Sequence, residues 1–130
     1  MDDIIKLIKG ARFVFVCGNG GSATTAEHFT NDLFSKGIKA VCLNSNTSIM
    51  TMIANDYGYK YVFSKQLDVL ANEEDLLVLF SVSGESPNII EAMDAHVPLQ
   101  MIPFFGRENE TYQEAENRHL NLAHKIAEKL

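Results

Sequence analysis

The chain has 130 residues, of which 46% are hydrophobic and 22% charged, and its formal net charge is −6. This length suits one domain with one core and is too short for two. The acidic charge, without a run of Lys or Arg, argues against a nucleic-acid partner, because phosphate neutralisation needs a clustered basic face. No apolar stretch approaches the length that spans a bilayer, so no membrane partner is expected.

The N-terminus and the cysteines indicate a cytoplasmic protein. The first residues are acidic where a secretory signal would be basic, and no apolar segment of the signal-peptide kind follows them. Cys17 and Cys42 each end an apolar run. Two buried free thiols in a reducing compartment explain this pattern better than a disulfide or a metal site.

The apolar residues recur in a pattern that predicts helices alternating with strands. Helices are predicted over residues 2–9, 23–35, 48–55, 61–71, 87–95 and 111–130, and strands over 12–17, 39–43, 76–80 and 99–104. The strands at 12–17 and 76–80 are apolar without alternation, which is typical of central parallel strands covered on both faces. The order of elements therefore predicts a single doubly wound α/β domain.

Each of these two apolar strands runs into a loop of small residues that precedes a helix. The glycine loop (residues 18–22, GNGGS) follows the first strand, and the serine loop (residues 81–86, SVSGES) follows the second. Glycines let a backbone approach its ligand, helix starts offer unpaired N–H groups, and serine hydroxyls can donate to phosphate oxygens. Because parallel strands end at one edge of their sheet, we expect the two loops to bind a common anion there.

Two other phosphate-binding motifs fit the glycine loop less well. A P-loop requires Gly-Lys-Ser/Thr at its end, and no Lys follows Gly21. A dinucleotide fingerprint is formally present as Gly18-x-Gly20-x-x-Ala23. It also needs an acidic residue at the end of the second strand to hold a ribose, and residues 43–45 supply none. A nucleotide-dependent oxidoreductase is therefore a minor alternative.

Four motifs in this order resemble the SIS (sugar isomerase) domain and, within it, the phosphoheptose isomerases. They are the glycine loop, His28 with Asp32, the segment 55–59 (NDYGY) and the segment 81–88 (SVSGESPN). The resemblance implies a flavodoxin-like three-layer sandwich with four to five parallel strands. It also implies a homo-oligomer, specifically a tetramer, often with zinc, that converts sedoheptulose 7-phosphate to D-glycero-D-manno-heptose 7-phosphate.

The resemblance assigns roles to individual residues. The phosphorylated sugar would be held by Asn19, Gly20, Gly21, Ser22, Asn55, Asp56, Ser81, Ser83, Ser86 and Glu116. A zinc ion would be held by His28, Asp32, Glu116 and His124, with Asp32 and His124 as the catalytic base and acid. Ketose–aldose interconversion passes through an enediol and needs a base near the carbons and an acid or metal at the oxygens. Residues 28 and 32 lie about 40° apart around a helix and residues 116 and 124 about 80° apart, so each pair can face one site.

Three features depart from the family pattern. Asp32 replaces a Glu and is one methylene shorter, and Glu116 replaces a Gln and adds a negative charge. Only four residues separate Gly106 from Thr111, where the family inserts another strand, so the sheet is expected to have four strands and a repositioned last helix. That shift makes Gln113 a competing metal ligand.

The departures keep a second function open, a non-catalytic SIS protein that binds phosphosugars as a regulator or scaffold. For either function, we expect the helices at 2–9 and 111–130 to bury their apolar faces against other subunits.

Overall fold

The computed structural model describes residues 1–130 and contains six α-helices, one short 3-10 helix (Tyr59–Tyr61) and four strands. The helices are α1 (Asp2–Gly10), α2 (Gly21–Ser35), α3 (Thr47–Asp56), α4 (Ser64–Leu70), α5 (Pro87–Met93) and α6 (Tyr112–Glu128). The strands are β1 (Val14–Gly18), β2 (Ala40–Cys42), β3 (Leu76–Ser81) and β4 (Gln100–Phe105). None of the helices has the length and apolar character that crossing a membrane requires.

The four strands form one parallel sheet in the order β2-β1-β3-β4. This confirms the predicted doubly wound α/β fold, with the smaller of the two expected strand numbers. Both β1 and β3 are buried along their whole length, as their continuous apolar sequences indicate. Their register pairs Gly18 with Phe80, so β1 and β3 end side by side.

Successive residues of β1 point into two separate cores, which makes the fold a three-layer sandwich. Val14 and Val16 pack with α1, α2 and α6 on one face of the sheet. Phe15 and Cys17 pack with α3, α4 and α5 on the other face. Because both faces are covered, the central strands carry no polar side chain until they reach the carboxyl edge.

Helices α1 and α6 bury their apolar faces within the chain. Ile8 of α1 and Ala123 and Ile126 of α6 are almost fully buried in the same core as Val16. The sheet and α2 thus cover these faces within the chain, and further burial against other subunits stays a prediction. The oligomeric state itself stays a prediction.

Most predicted elements begin and end within two residues of the observed ones, and the predicted helix 61–71 differs most. The chain passes through Gly58 with φ of 115° and forms a single 3-10 turn before α4 begins. Such a φ favours glycine and interrupts regular helix geometry. Strand β2 is shorter than predicted, although hydrogen bonds of 2.8 Å from Val14 N to Lys39 O and from Leu43 N to Val16 O extend the pairing at both ends.

Both cysteines are free thiols, as the sequence indicated. Cys17 is fully buried in β1, and Cys42 is half-buried at the end of β2. Burial raises the pKa of both thiols, so neither is a reactive thiolate at neutral pH.

Candidate functional site

The glycine loop and the serine loop meet at the carboxyl edge of the sheet, as predicted. From there the chain turns to opposite faces, since α2 packs into one core and α5 into the other. Doubly wound sheets bind ligands at such a switch point. A cavity of about 80 Å³ opens between the loops, and its polar lining consists of Asn19, Ser22, Ser81, Ser83, Ser86, Tyr112 and Glu116.

Two positions in the glycine loop require glycine. A side chain on Gly18 would meet the carbonyl oxygen of Ser22 at 2.5 Å and that of Phe80 at 3.0 Å. Gly20 has φ of 57° and is the N-cap of α2. The tight turn brings the first turn of α2, with Ser22, to the cavity, where the helix dipole favours an anion.

In the serine loop, hydroxyl oxygens accept hydrogen bonds from the loop's own backbone. Ser81 Oγ accepts from the N–H of Gly84 at 3.0 Å, and Ser83 Oγ accepts from the N–H of Glu85 at 3.2 Å. A hydroxyl that accepts in this way keeps its proton available for a ligand. The loop therefore presents hydrogen-bond donors to the cavity, which suits an anion with several oxygens.

Asn55 and Asp56 lie at the end of α3, and both are exposed. The Nδ2 of Asn55 donates to Asp56 Oδ1 at 3.0 Å, and neither residue lines the cavity between the loops. The neighbouring 3-10 helix does reach the glycine loop, because the hydroxyl of Tyr59 donates to Asn19 Oδ1 at 3.4 Å. A substrate contact with Asn55 and Asp56 stays a prediction.

A second polar group lies further along α2, where His28 and Asp32 face His124 of α6. The Nε2 atoms of His28 and His124 are 2.9 Å apart, and His28 Nε2 lies 3.5 Å from Asp32 Oδ2. The group assembles because α2 and α6 pack side by side. Three of the four residues predicted to bind a metal are thus close together.

Glu116, the fourth predicted ligand, is not part of this group. Its carboxylate lies against Gly21 and lines the cavity. Eight residues of α-helix rise by about 12 Å, so Glu116 and His124 lie about two turns apart on α6. Angular spacing alone therefore does not bring Glu116 and His124 to one metal ion. Gln113, the competing ligand, is exposed in the first turn of α6.

The donor set of His28, Asp32 and His124 fits a zinc ion. One ligand atom from each residue lies within 4.8 Å of the others. Catalytic zinc sites use three protein ligands of these types and leave a fourth position for water or substrate. The group can therefore hold a metal without Glu116.

The connection between β4 and α6 (residues 106–111) is held by a bidentate ion pair. Arg118 donates to the two carboxylate oxygens of Glu110 at 2.8 and 2.9 Å and to the carbonyl oxygen of Phe105 at 2.9 Å. Hydrogen bonding from Arg118 lowers the pKa of Glu110 to about 2. These contacts fix the start of α6 beside the cavity without an additional strand.

His119 is buried next to this connection, near the rings of Phe80 and Phe104. Its Nε2 lies 2.9 Å from the carbonyl oxygen of Phe105 and donates to it, whereas its buried Nδ1 has no partner. Burial lowers the pKa of His119, opposed by the hydrogen bond to Phe105. The neutral imidazole is thus a structural group.

Two residues at the site have no role predicted from the sequence. Tyr112 lines the cavity at the start of α6 and is 65% exposed. Asn88 is buried at the start of α5 and pairs with Asn19. Asn88 ends the SVSGESPN motif, so its place in the motif was the available signal, whereas Tyr112 belongs to no motif.

Comparison with family models matches residues 1–102 to the SIS domain. The chain belongs to the SIS-domain family. The matched region contains both loops, His28 and Asp32 of this SIS domain, whereas Glu116 and His124 lie beyond it. The resemblance inferred from the four motifs is thereby confirmed.

This SIS domain is similar to phosphoheptose isomerases in both sequence and structure. It is 40% identical over 104 residues to the phosphoheptose isomerase of Helicobacter pylori strain P12, which covers 75% of this chain and 54% of that protein. The phosphoheptose isomerase structure from Neisseria gonorrhoeae matches with a TM-score of 0.90 and 31% identity, covering 98% of this chain and 80% of that one. The structure from Francisella tularensis matches with a TM-score of 0.89 and 26% identity, covering 98% and 82%. The chain spans about half the length of the curated relatives it matches.

Proposed function

We propose that this SIS domain is a phosphosugar isomerase that interconverts sedoheptulose 7-phosphate and D-glycero-D-manno-heptose 7-phosphate through an enediol. The observation that carries the proposal is the convergence of the glycine and serine loops on one cavity, which Ser22, Ser81 and Ser83 line together. The similarity to phosphoheptose isomerases supports this choice of substrate.

The cavity between the loops is the site for the phosphate group. At about 80 Å³ it is smaller than a site for a whole metabolite, so the sugar extends out of it. Six residues of α2 separate Ser22 from His28, which corresponds to a rise of about 9 Å. A sugar phosphate of several carbons can therefore place its phosphate at Ser22 and its reacting carbons near His28.

Asp32 and His124 move the protons. Asp32 Oδ2 faces His28, whereas Asp32 Oδ1 accepts no hydrogen bond and can remove a proton from one carbon and return it to the next. His124 donates a proton to the carbonyl oxygen that becomes a hydroxyl. A zinc ion held by His28, Asp32 and His124 would polarise that carbonyl as a Lewis acid.

The decisive experiment follows sedoheptulose 7-phosphate by NMR in the presence of the purified chain, with zinc and with a chelator. We expect aldose signals to grow with zinc and to cease after chelation. Asp32→Asn should abolish turnover and retain sugar-phosphate binding, whereas Asp68→Asn, an exposed carboxylate on α4, should retain both. Intact binding without any aldose contradicts the proposed activity.

The geometry of Asp32 favours a second candidate function, a non-catalytic phosphosugar-binding regulator or scaffold. Asp32 is shorter than the Glu of the family pattern, and its Oδ2 stays 3.5 Å from His28 Nε2. This candidate predicts that Asp32→Asn leaves every biological activity unchanged, whereas Ser83→Ala abolishes ligand binding.

We further propose that residues 1–130 act as one phosphosugar-binding domain in a cytoplasmic homo-oligomer, expected to be a tetramer. An apolar groove on α3 and α4, with the exposed residues Met52, Tyr57, Val69 and Leu70, supports contact between subunits. The free thiols support a reducing compartment. A monomer in sedimentation at micromolar concentration contradicts the assembly, and two separate unfolding transitions contradict the single domain.

A further inference from the structure

Asn19 of the glycine loop and Asn88 of α5 form a reciprocal pair of amide hydrogen bonds. Asn19 Nδ2 donates to Asn88 Oδ1 at 2.8 Å, and Asn88 Nδ2 donates to Asn19 Oδ1 at 2.8 Å. The two residues are 69 positions apart in the chain. Each amide fixes the orientation of the other, because flipping one of them alone would place oxygen opposite oxygen and N–H opposite N–H.

The pair lies where the two loops leave the sheet. Asn19 lines the cavity and follows Gly18, the last residue of β1, whereas Asn88 lies two residues after Ser86 of the serine loop. The backbones of β1 and β3 pair with each other. In addition, these two side-chain hydrogen bonds connect the glycine loop to the serine loop and its helix. They therefore hold the two halves of the cavity together in addition to the strand pairing.

Asn88 itself does not line the cavity. Its side chain is buried, with 2% of the residue exposed, and both of its polar side-chain atoms are used by Asn19. A buried amide with two satisfied hydrogen bonds is costly to disrupt, because the partner that remains loses its bonds in a place that water does not reach. Any effect of Asn88 on a ligand must therefore pass through Asn19.

We propose that Asn88 is a positioning residue, which holds Asn19 so that the two loops converge on one phosphate group. The ligand in this inference rests on the proposed function, whereas the contact between the loops does not. Loss of Asn88 would free the side chain of Asn19 and loosen the turn that ends at Ser22.

Hydrogen exchange tests the inference without a ligand. Asn88→Leu keeps nearly the same side-chain shape and removes both hydrogen bonds, and Asn88→Ala serves as a second variant. We expect exchange of the Ser22 and Ala23 amides, which are bonded to Asn19 O and Gly20 O, to accelerate about tenfold, with β1 unchanged. Unchanged exchange in the glycine loop of a folded variant would overturn the inference.

Calorimetry with inorganic phosphate and with sedoheptulose 7-phosphate supplies the second test. Asn88→Leu should weaken binding of both about tenfold, whereas the exposed Asn121→Ala on α6 should not. In an Asn19→Ala background, Asn88→Leu should cause no further loss, and independent losses in the double variant would overturn the positioning role.

The two proposals fail in different ways. If Asn88→Leu loosens the glycine loop but the original chain does not isomerise the sugar phosphate, the positioning role stands and the proposed activity is refuted. A chain that binds neither phosphate nor the sugar phosphate overturns both.

Discussion

The carboxylate of Glu116 lies directly against the α-carbon of Gly21, so that a methyl group at residue 21 would overlap both carboxylate oxygens. This contact joins the last helix to the glycine loop at the edge of the cavity. Glu116 accepts no hydrogen bond there, although it lies among the groups that we propose bind a phosphate. Its negative charge therefore opposes the ligand that the surrounding residues favour.

Replacing Glu116 by Gln should strengthen phosphate binding. The substitution removes a negative charge beside the ligand, and unit charges about 4 Å apart interact by about 1 kcal/mol in water, which corresponds to about fivefold in affinity. Titration calorimetry at low ionic strength, with inorganic phosphate as ligand, measures the change. Glu128→Gln removes the same charge at the far end of α6 and should have little effect, so equal gains in both variants would contradict a local role.

Gly18→Ala should destabilise the fold more than Gly21→Ala. The new methyl group at residue 18 meets backbone carbonyl oxygens of Ser22 and Phe80, which cannot move aside, and overpacking of this kind costs about 1–3 kcal/mol. At residue 21 the three nearest atoms belong to the flexible end of Glu116, which can rotate away. Urea unfolding compares both with Gly10→Ala, where no atom lies within 4 Å. Equal stability of the Gly18 and Gly21 variants would disagree with this geometry.

Stability should fall below about pH 6.5 because of His119. Burial lowers the pKa of this histidine in the folded chain. At pH values below the ordinary pKa of histidine, the unfolded chain therefore binds more protons than the folded chain, and stability decreases as the pH falls. His119→Gln can still donate to the carbonyl oxygen of Phe105 but does not titrate, so its stability should depend less on pH. Urea unfolding between pH 5 and 8 tests this, with the exposed His96→Gln as a control that keeps the full dependence. Parallel curves for the original chain and His119→Gln would refute the assignment.

Asp32→Glu should increase kcat of the proposed isomerisation. The longer side chain brings its carboxylate closer to the substrate carbons, and a misplacement of about 1 Å can cost about 100-fold in rate. KM should change little, since the phosphate cavity is untouched. Steady-state NMR assays measure both constants, and Asp68→Glu is the matched control. A kcat that does not rise would show that the reach of Asp32 does not limit the reaction.

The central strands and the two loops could be predicted because their signals are local. Apolar and polar residues do not alternate in a run such as residues 76–80, and this pattern indicates a parallel strand that is covered on both faces. The loop that follows such a strand must lie at the carboxyl edge. The positions of Ser22 and Ser81 at one cavity therefore followed from topology alone.

The position of α6 could not be predicted in the same way. It depends on contacts of Arg118 with Glu110 and Phe105, which no local sequence pattern predicts. The angular spacing of Glu116 and His124 was correct, but their separation along the helix axis places them at different ends of the site. Likewise, the Asn19–Asn88 pair joins distant parts of the chain, and only the folded structure brings them together.

Cys17 lies directly before the glycine loop and is sealed between the sheet and the helices of the second core. A thiol with a raised pKa and no access to solvent reacts with an alkylating reagent only while its surroundings are open. The reactivity of Cys17 thus reports how often the structure opens locally beneath the glycine loop. With Cys42 replaced by Ser, mass spectrometry would measure the rate at which Cys17 is alkylated, and hence the rate of this local opening.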